Sequence, residues 1–154
     1  MPKCLHYTDT LNYEIEQVAR LLRLISVRVF EQLEIDVTPD EYVALDTILC
    51  NSGICQRDLA KLILKDRANT GRILDSLEEK GLITRFIDTK NNRLVKKMGL
   101  TESGVKKIHQ INKKIEGFIN SSKRKLTDEE LENIHSSLKK LRCNLEEVFE
   151  MKNI

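Results

Sequence analysis

Proline and glycine are scarce in this 154-residue chain, at two and six residues. That scarcity excludes collagen-like, mucin-like and linker architectures, and with 40% hydrophobic residues the chain can bury a core. A long apolar run is missing too. No window approaches the roughly 18 residues that a membrane-spanning helix needs, and Met1-Pro2-Lys3-Cys4-Leu5-His6 lacks the apolar core of a signal peptide. A cytoplasmic location without a membrane partner is the expectation. The four cysteines, at positions 4, 50, 55 and 143, are too few and too unevenly spaced for a disulfide scaffold, and no pair has zinc-knuckle spacing. His6, His109 and His135 are likewise scattered, without the spacing that chelates a metal from one helix. No metal and no cofactor is expected. An excess of either charge is the last absence. The 26 Lys+Arg against 24 Asp+Glu leave +2, which taken alone argues against a phosphate-rich partner.

What the chain does have is helical periodicity. Leu11, Ile15, Val18, Leu22, Ile25, Val29 and Leu33 recur at steps of three and four, which predicts a helix of about six turns with one apolar stripe. The stripe is longer than one small core requires, so packing on its own domain and packing on a partner chain both remain open. Thr38-Pro39-Asp40-Glu41 is a capping box with proline at the first helical position. It starts a second helix, with Tyr42, Leu45, Ile48 and Leu49 inside, that ends at Asn51-Ser52-Gly53. Residues 54–64 predict a short helix with Leu59, Leu62 and Ile63 inside. Asp66 opens another, carrying Ile73, Leu74 and Leu77 inward and stopping at Gly81. The two are separated by the polar turn Lys65-Asp66, the arrangement of a helix-turn-helix.

After Gly81 the period changes to that of strands, over 82–87 and 95–100, with the polar stretch 88–93 as the turn region of a hairpin. Thr101 caps a long helix carrying Val105, Ile108, Ile111, Ile115 and Ile119. A second capping box, Thr127 to Glu130, starts the last helix, with Leu131, Ile134, Leu138, Leu141, Leu145 and Val148 on one stripe. The expected fold is mainly α with a two-stranded β-hairpin: a winged helix-turn-helix between long terminal dimerisation helices. The expected division is 1–37 as an N-terminal dimerisation helix, 38–101 as the DNA-binding domain and 102–154 as C-terminal dimerisation helices.

The balanced charge is polarised along the chain. Residues 55–97 carry +5 and the remainder −3, and within 84–97 five basic side chains face the single Asp88. In a helix-turn-helix the second helix enters the major groove with its N-terminal side chains at the base edges. Those are Arg67, Asn69, Thr70 and Arg72. Arginine suits guanine and asparagine suits adenine, each with two hydrogen bonds, while Thr70 suits a thymine methyl or a phosphate. Gln56, near the start of the preceding helix, suits a phosphate. Arg85, Lys90, Arg93, Lys96 and Lys97 would make the hairpin a wing, with a basic tip in the minor groove.

These residues resemble the MarR-type winged-helix transcriptional regulators over nearly the whole chain. The resemblance is carried by Gln56-Arg57-Asp58-Leu59-Ala60, by the stretch 72–83 (Arg72 to Ile83), by Leu100-Thr101-Glu102-Ser103-Gly104 and by Thr38-Pro39. Two positions depart from the family pattern. Asn91-Asn92-Arg93-Leu94 keeps a wing-tip arginine without the acidic residue that usually precedes it, and Cys55 stands where a Thr or Ser cap is more common. The resemblance implies a dimeric, mostly repressive regulator on a roughly palindromic double-stranded DNA operator. It also implies an effector: a small ligand in the cleft between dimerisation helices and winged helix, thiol oxidation, or occasionally a metal.

A redox switch would use Cys55, at a helix N-terminus, with Cys50 nearby, or Cys4 with Cys143. The plainer reading makes each a small buried hydrophobe. The competing function is a winged helix used as a protein-interaction module without DNA readout; that needs an apolar recognition helix, and Arg67, Asn69, Thr70 and Arg72 give the opposite. An enzyme is not expected, because no nucleophile–base pair, phosphate loop or paired carboxylates occur.

Overall fold

A computed structural model of the chain describes residues 6–151, and of Lys90 and Met151 the backbone alone. Cys4 lies outside the described residues. After a single 3-10 turn, Tyr7–Asp9, come α1 (Leu11–Gln32), α2 (Pro39–Cys50), α3 (Gln56–Leu62), α4 (Arg67–Glu79), β1 (Ile83–Lys90), β2 (Arg93–Leu100), α5 (Glu102–Lys123) and α6 (Asp128–Met151). The chain divides into two compact units, Met1–Ile115 and Glu116–Ile154, with the boundary inside α5.

Local chemistry sets most of these ends. The Thr38 hydroxyl accepts from the Glu41 amide while the Glu41 carboxylate accepts from the Thr38 amide, closing the expected capping box. The same reciprocal pair joins Thr127 and Glu130 ahead of α6. Thr101 accepts from the Gly104 amide and donates to the Gly81 carbonyl, so one hydroxyl starts α5 and ties it to the exit of α4. α3 is shorter than residues 54–64. Its last turn closes through Lys65 N to Ala60 O and leaves Leu64 at φ 52°, a left-handed conformation that costs a leucine about 1 kcal/mol.

The hairpin differs from its sequence-based outline. β1 and β2 pair antiparallel from Ile83 with Leu100 out to Lys90 with Arg93, and only Asn91 and Asn92 form the turn, at φ 51° and 59°. Two left-handed residues are what a tight hairpin turn needs, and asparagine tolerates them. The polar residues 88–90 and 93 therefore belong to strands, whose outer ends stand in solvent. A third, short partner joins at the inner end: Cys55 bridges to Lys97, and the Met98 amide donates to the Ile54 carbonyl.

The core of the first unit draws on every element from α1 to α5. Phe30 comes from α1, Ala44, Leu45 and Ile48 from α2, Leu59 from α3, Leu74 and Leu77 from α4, Ile83 and Met98 from the hairpin, and Ile108, Ile111 and Ile115 from α5. Expected inward residues Leu49 and Leu62 are exposed instead. α5 approaches so closely that a Cβ on Gly104 would lie 2.1 Å from the Leu82 carbonyl oxygen.

Polar ties fix α4 to this core. Glu41, 5% exposed, accepts from Ser76 and, at 2.8 Å, from Lys80, whose ammonium also donates to the Asp36 carbonyl. Burial pushes the Glu41 carboxyl up, but Lys80, Ser76 and the Thr38 amide outweigh it and hold it below the ordinary carboxylate value. Asp40 takes a bidentate Arg23 from α1 at 2.6 and 2.9 Å and Lys65 from the helix-turn-helix turn at 3.1 Å. These bonds, Arg23 first, lower its carboxyl.

In the single chain the terminal stripes are largely uncovered. Phe30 is the one buried residue of α1, and Leu11, Val18, Leu22 and Ile25 are exposed. On α6 no described residue is buried, and Ile134, Leu138, Leu145 and Val148 stand open.

Candidate nucleic-acid interface

Three segments of the first unit meet around an open cleft of about 1200 Å³: the start of α3, the start of α4 and the hairpin tip. Arg57, Lys61, Lys65, Arg67, Arg93 and Lys96 line it, against the single carboxylate of Asp58. Of these, Arg57 lies 3.5 Å from Asp58 and Lys65 is paired with Asp40. Arg67, Arg93, Lys96 and Lys61 are exposed and make no ion pair among the described residues, and the same holds for Arg72 one turn further along α4. Unneutralised cations around a concave rim concentrate field where a phosphate chain can lie.

The start of α4 is built by Asp66, whose carboxylate accepts from the Asn69 amide N–H at 2.8 Å and from the Asn69 side-chain amide. Those bonds, the backbone one first, hold the Asp66 carboxyl low. Gln56 lies across from it, its side-chain nitrogen donating to the Arg67 carbonyl at 3.3 Å. That nitrogen would be 3.4 Å from a Cβ on Gly71, an ordinary contact distance, so Gln56 packs directly over this turn of α4. Gln56 thus braces α3 against α4 while its N-terminal position stays at the cleft.

Not every expected contact residue faces outward. Thr70 corrects the expectation: it is fully buried and its hydroxyl donates to the Asp66 carbonyl at 2.8 Å, because its position in α4 falls on the same inward stripe as Leu74 and Leu77. Arg85 turns onto α4, with Asp75 at 2.6 Å and Glu78 at 3.6 Å, and serves as a strut between helix and hairpin. Lys97 is paired across the hairpin with Asp88 and is partly buried. Those three carboxylates already occupy two of the cations expected on the wing. The Lys90 side chain lies outside the described residues. Conversely, Arg57, Lys61 and Lys65 belong to the cleft without having been singled out. Their charge was visible in the sequence, but the face of α3 that meets the hairpin is a tertiary fact.

The cysteines take separate places. Cys55 is at the N-cap of α3 but receives no capping hydrogen bond; its thiol donates to Asp58 at 3.2 Å and lowers that carboxyl. Cys50 and Cys143 are free and exposed. No helix among the described residues is long and apolar enough to cross a membrane.

Comparison with known proteins agrees with this geometry. The model of the MarR family matches residues 37–95. An uncharacterised helix-turn-helix transcriptional regulator of Bacillus subtilis, YybA, is 34% identical over 137 residues, 89% of each chain. The crystal structure of the transcriptional regulator SlyA superposes with a TM-score of 0.77 at 30% identity, over 92% of this chain and 97% of that one. Staphylococcus aureus MepR, in a complex with DNA, gives 0.72 at 25% identity over 91% and 99%. A winged helix with an unpaired basic rim, matched in sequence and fold across most of its length, leaves one assignment: the chain belongs to the MarR family of DNA-binding transcriptional regulators, and it is not an enzyme.

Proposed function

We propose that this regulator works in the cytoplasm as a homodimer, mostly as a repressor, on a roughly palindromic duplex operator, with α4 in the major groove and the Arg93 tip of the hairpin in the minor groove. The observation that carries this reading is that Arg67, Arg93 and Lys96 line one cleft without an ion pair among the described residues, with Arg72 exposed and likewise unpaired further along α4 and Asn69, suited to adenine, between the two arginines of that helix. MepR, of the same fold, has been crystallised on DNA. The uncovered stripes of α1 and α6 supply the apolar area a second copy would cover. Selecting from a random duplex library with the full-length protein tests the reading. It expects one enriched, two-fold symmetric sequence whose affinity falls steeply with salt. Failure to bind any duplex at low salt sinks it and leaves the protein-interaction module.

Modulation of affinity by a small ligand or by thiol oxidation belongs to the same reading. For the thiol route the supporting observation is that Cys55 lines the cleft, so an oxidised or conjugated sulfur there would intrude where the phosphates pass. Cys55→Ser should then abolish an oxidant's effect on DNA binding. An undiminished effect assigns it to Cys50, Cys4 or Cys143, or to none.

A further inference from the structure

Asn69 is exposed at the start of the recognition helix, yet its side chain is not free to turn. The Asp66 carboxylate caps α4 by accepting from the Asn69 backbone N–H with one oxygen, and with the other it accepts from the Asn69 side-chain nitrogen. Only the amide nitrogen can donate to a carboxylate, so the bond fixes which end of the amide is spoken for. The Asn69 oxygen accepts no hydrogen bond among the described residues. We propose that Asp66 is a specificity-determining positioning residue: it holds the Asn69 amide with nitrogen toward the helix cap and oxygen outward, so that Asn69 meets the major groove as a pre-set acceptor for the amino group of adenine.

The chemistry selects in two ways. Adenine presents an amino donor beside the N7 acceptor, and the held amide offers an outward oxygen plus the second hydrogen of its nitrogen, whereas guanine presents acceptors only. The Asp66 charge lies a few ångströms behind and disfavours those acceptors further. Holding the rotamer before contact also removes the cost of freezing it on binding. The proposal rests on the operator reading above, in which the start of α4 lies on base edges.

The test uses the duplex selected from a random library by the wild-type protein, and its single-base-pair variants. Asp66→Ser keeps a good helix cap but loses the second oxygen and the charge. Discrimination at the pair governed by Asn69 should fall roughly three- to tenfold in this variant, with the helical circular dichroism unchanged and the affinity for unrelated duplex no weaker, because a negative charge leaves the start of α4. In an Asn69→Ala background the same change should have no further effect on discrimination. A mere capping role would weaken binding to all duplexes alike. An unaltered base profile in Asp66→Ser overturns the proposal, as does an equal loss of discrimination in the Asn69→Ala background, or guanine selected at the pair Asn69 governs. If Asn69→Ala leaves the profile unchanged while wild type still selects one sequence, the proposal falls and the operator reading stands. If wild type selects none, both fall.

Discussion

Lys80 ties the end of α4 to the core through a buried carboxylate. Its ammonium neutralises the buried Glu41 and reaches the Asp36 carbonyl, so it joins the end of α4 to the start of α2 and the loop before it. Lys80→Ala leaves a carboxylate without its cation and should cost about 2 kcal/mol by denaturant unfolding, below the 3–5 typical of a fully buried pair because the lysine is partly exposed. The sign of the pH effect follows from Glu41 being held below its ordinary value. Such a group binds fewer protons folded than unfolded, so its stabilisation is complete above the unfolded value and is lost as pH falls through the folded one. Glu41→Gln should flatten the acid limb of Tm against pH. A profile parallel to wild type below about pH 5 would remove Glu41 from this role. None of this was legible in sequence beyond the capping box, because Glu41 makes its distant bonds to residues 35 and 39 positions away. Thr70 illustrates the converse error: a polar side chain on a periodic helix looks like a reader until the helix is rotated against its core.

At the scale of elements, ends proved legible and faces less so. Capping chemistry is local, so Thr38 to Glu41 and Thr127 to Glu130 fix the starts of α2 and α6 from neighbouring residues alone. The hairpin turn reads wider in sequence than it is, because its outer strand residues are as polar as a loop and the turn itself rests on the left-handed tolerance of Asn91 and Asn92. Which face of α3 or β1 meets what depends on packing, and so the pairing of Arg85 with Asp75 and Glu78 appears only in the fold. Gly104 gives the sharpest test of how α5 seats. A methyl group there would meet the Leu82 backbone oxygen, which cannot rotate away, so Gly104→Ala should destabilise by about 2–3 kcal/mol despite alanine's better helix propensity. A gain in Tm on that substitution would show that α5 does not lie so close to the exit of α4.

For the whole molecule, the net charge of +2 conceals a basic segment and an acidic remainder. Bulk attraction to DNA is therefore modest, and in the proposed dimer affinity comes from base contacts and from two copies of α4 held at a fixed spacing. The uncovered stripes bear on that spacing. Leu22→Glu on α1 or Leu138→Glu on α6 introduces a charge on the stripes that the proposed dimer would cover, at exposed sites that leave the folded chain intact. Sedimentation at micromolar concentration should find twice the mass of one chain for wild type and a shift to single chains in either variant. A single-chain mass for wild type would withdraw the homodimer.

The most direct measurement is fluorescence anisotropy of the selected duplex, its single-base variants and an unrelated duplex, across a salt series, for wild type, Arg72→Ala and Lys96→Ala. Arg72→Ala should lose about 1–3 kcal/mol on the selected sequence and relax the preference at one base pair per half-site. Lys96→Ala should weaken all duplexes alike and reduce the salt slope by about one per protomer. Equal, sequence-independent losses in both variants would contradict base reading by α4, and unchanged affinity in both would place the DNA on another face.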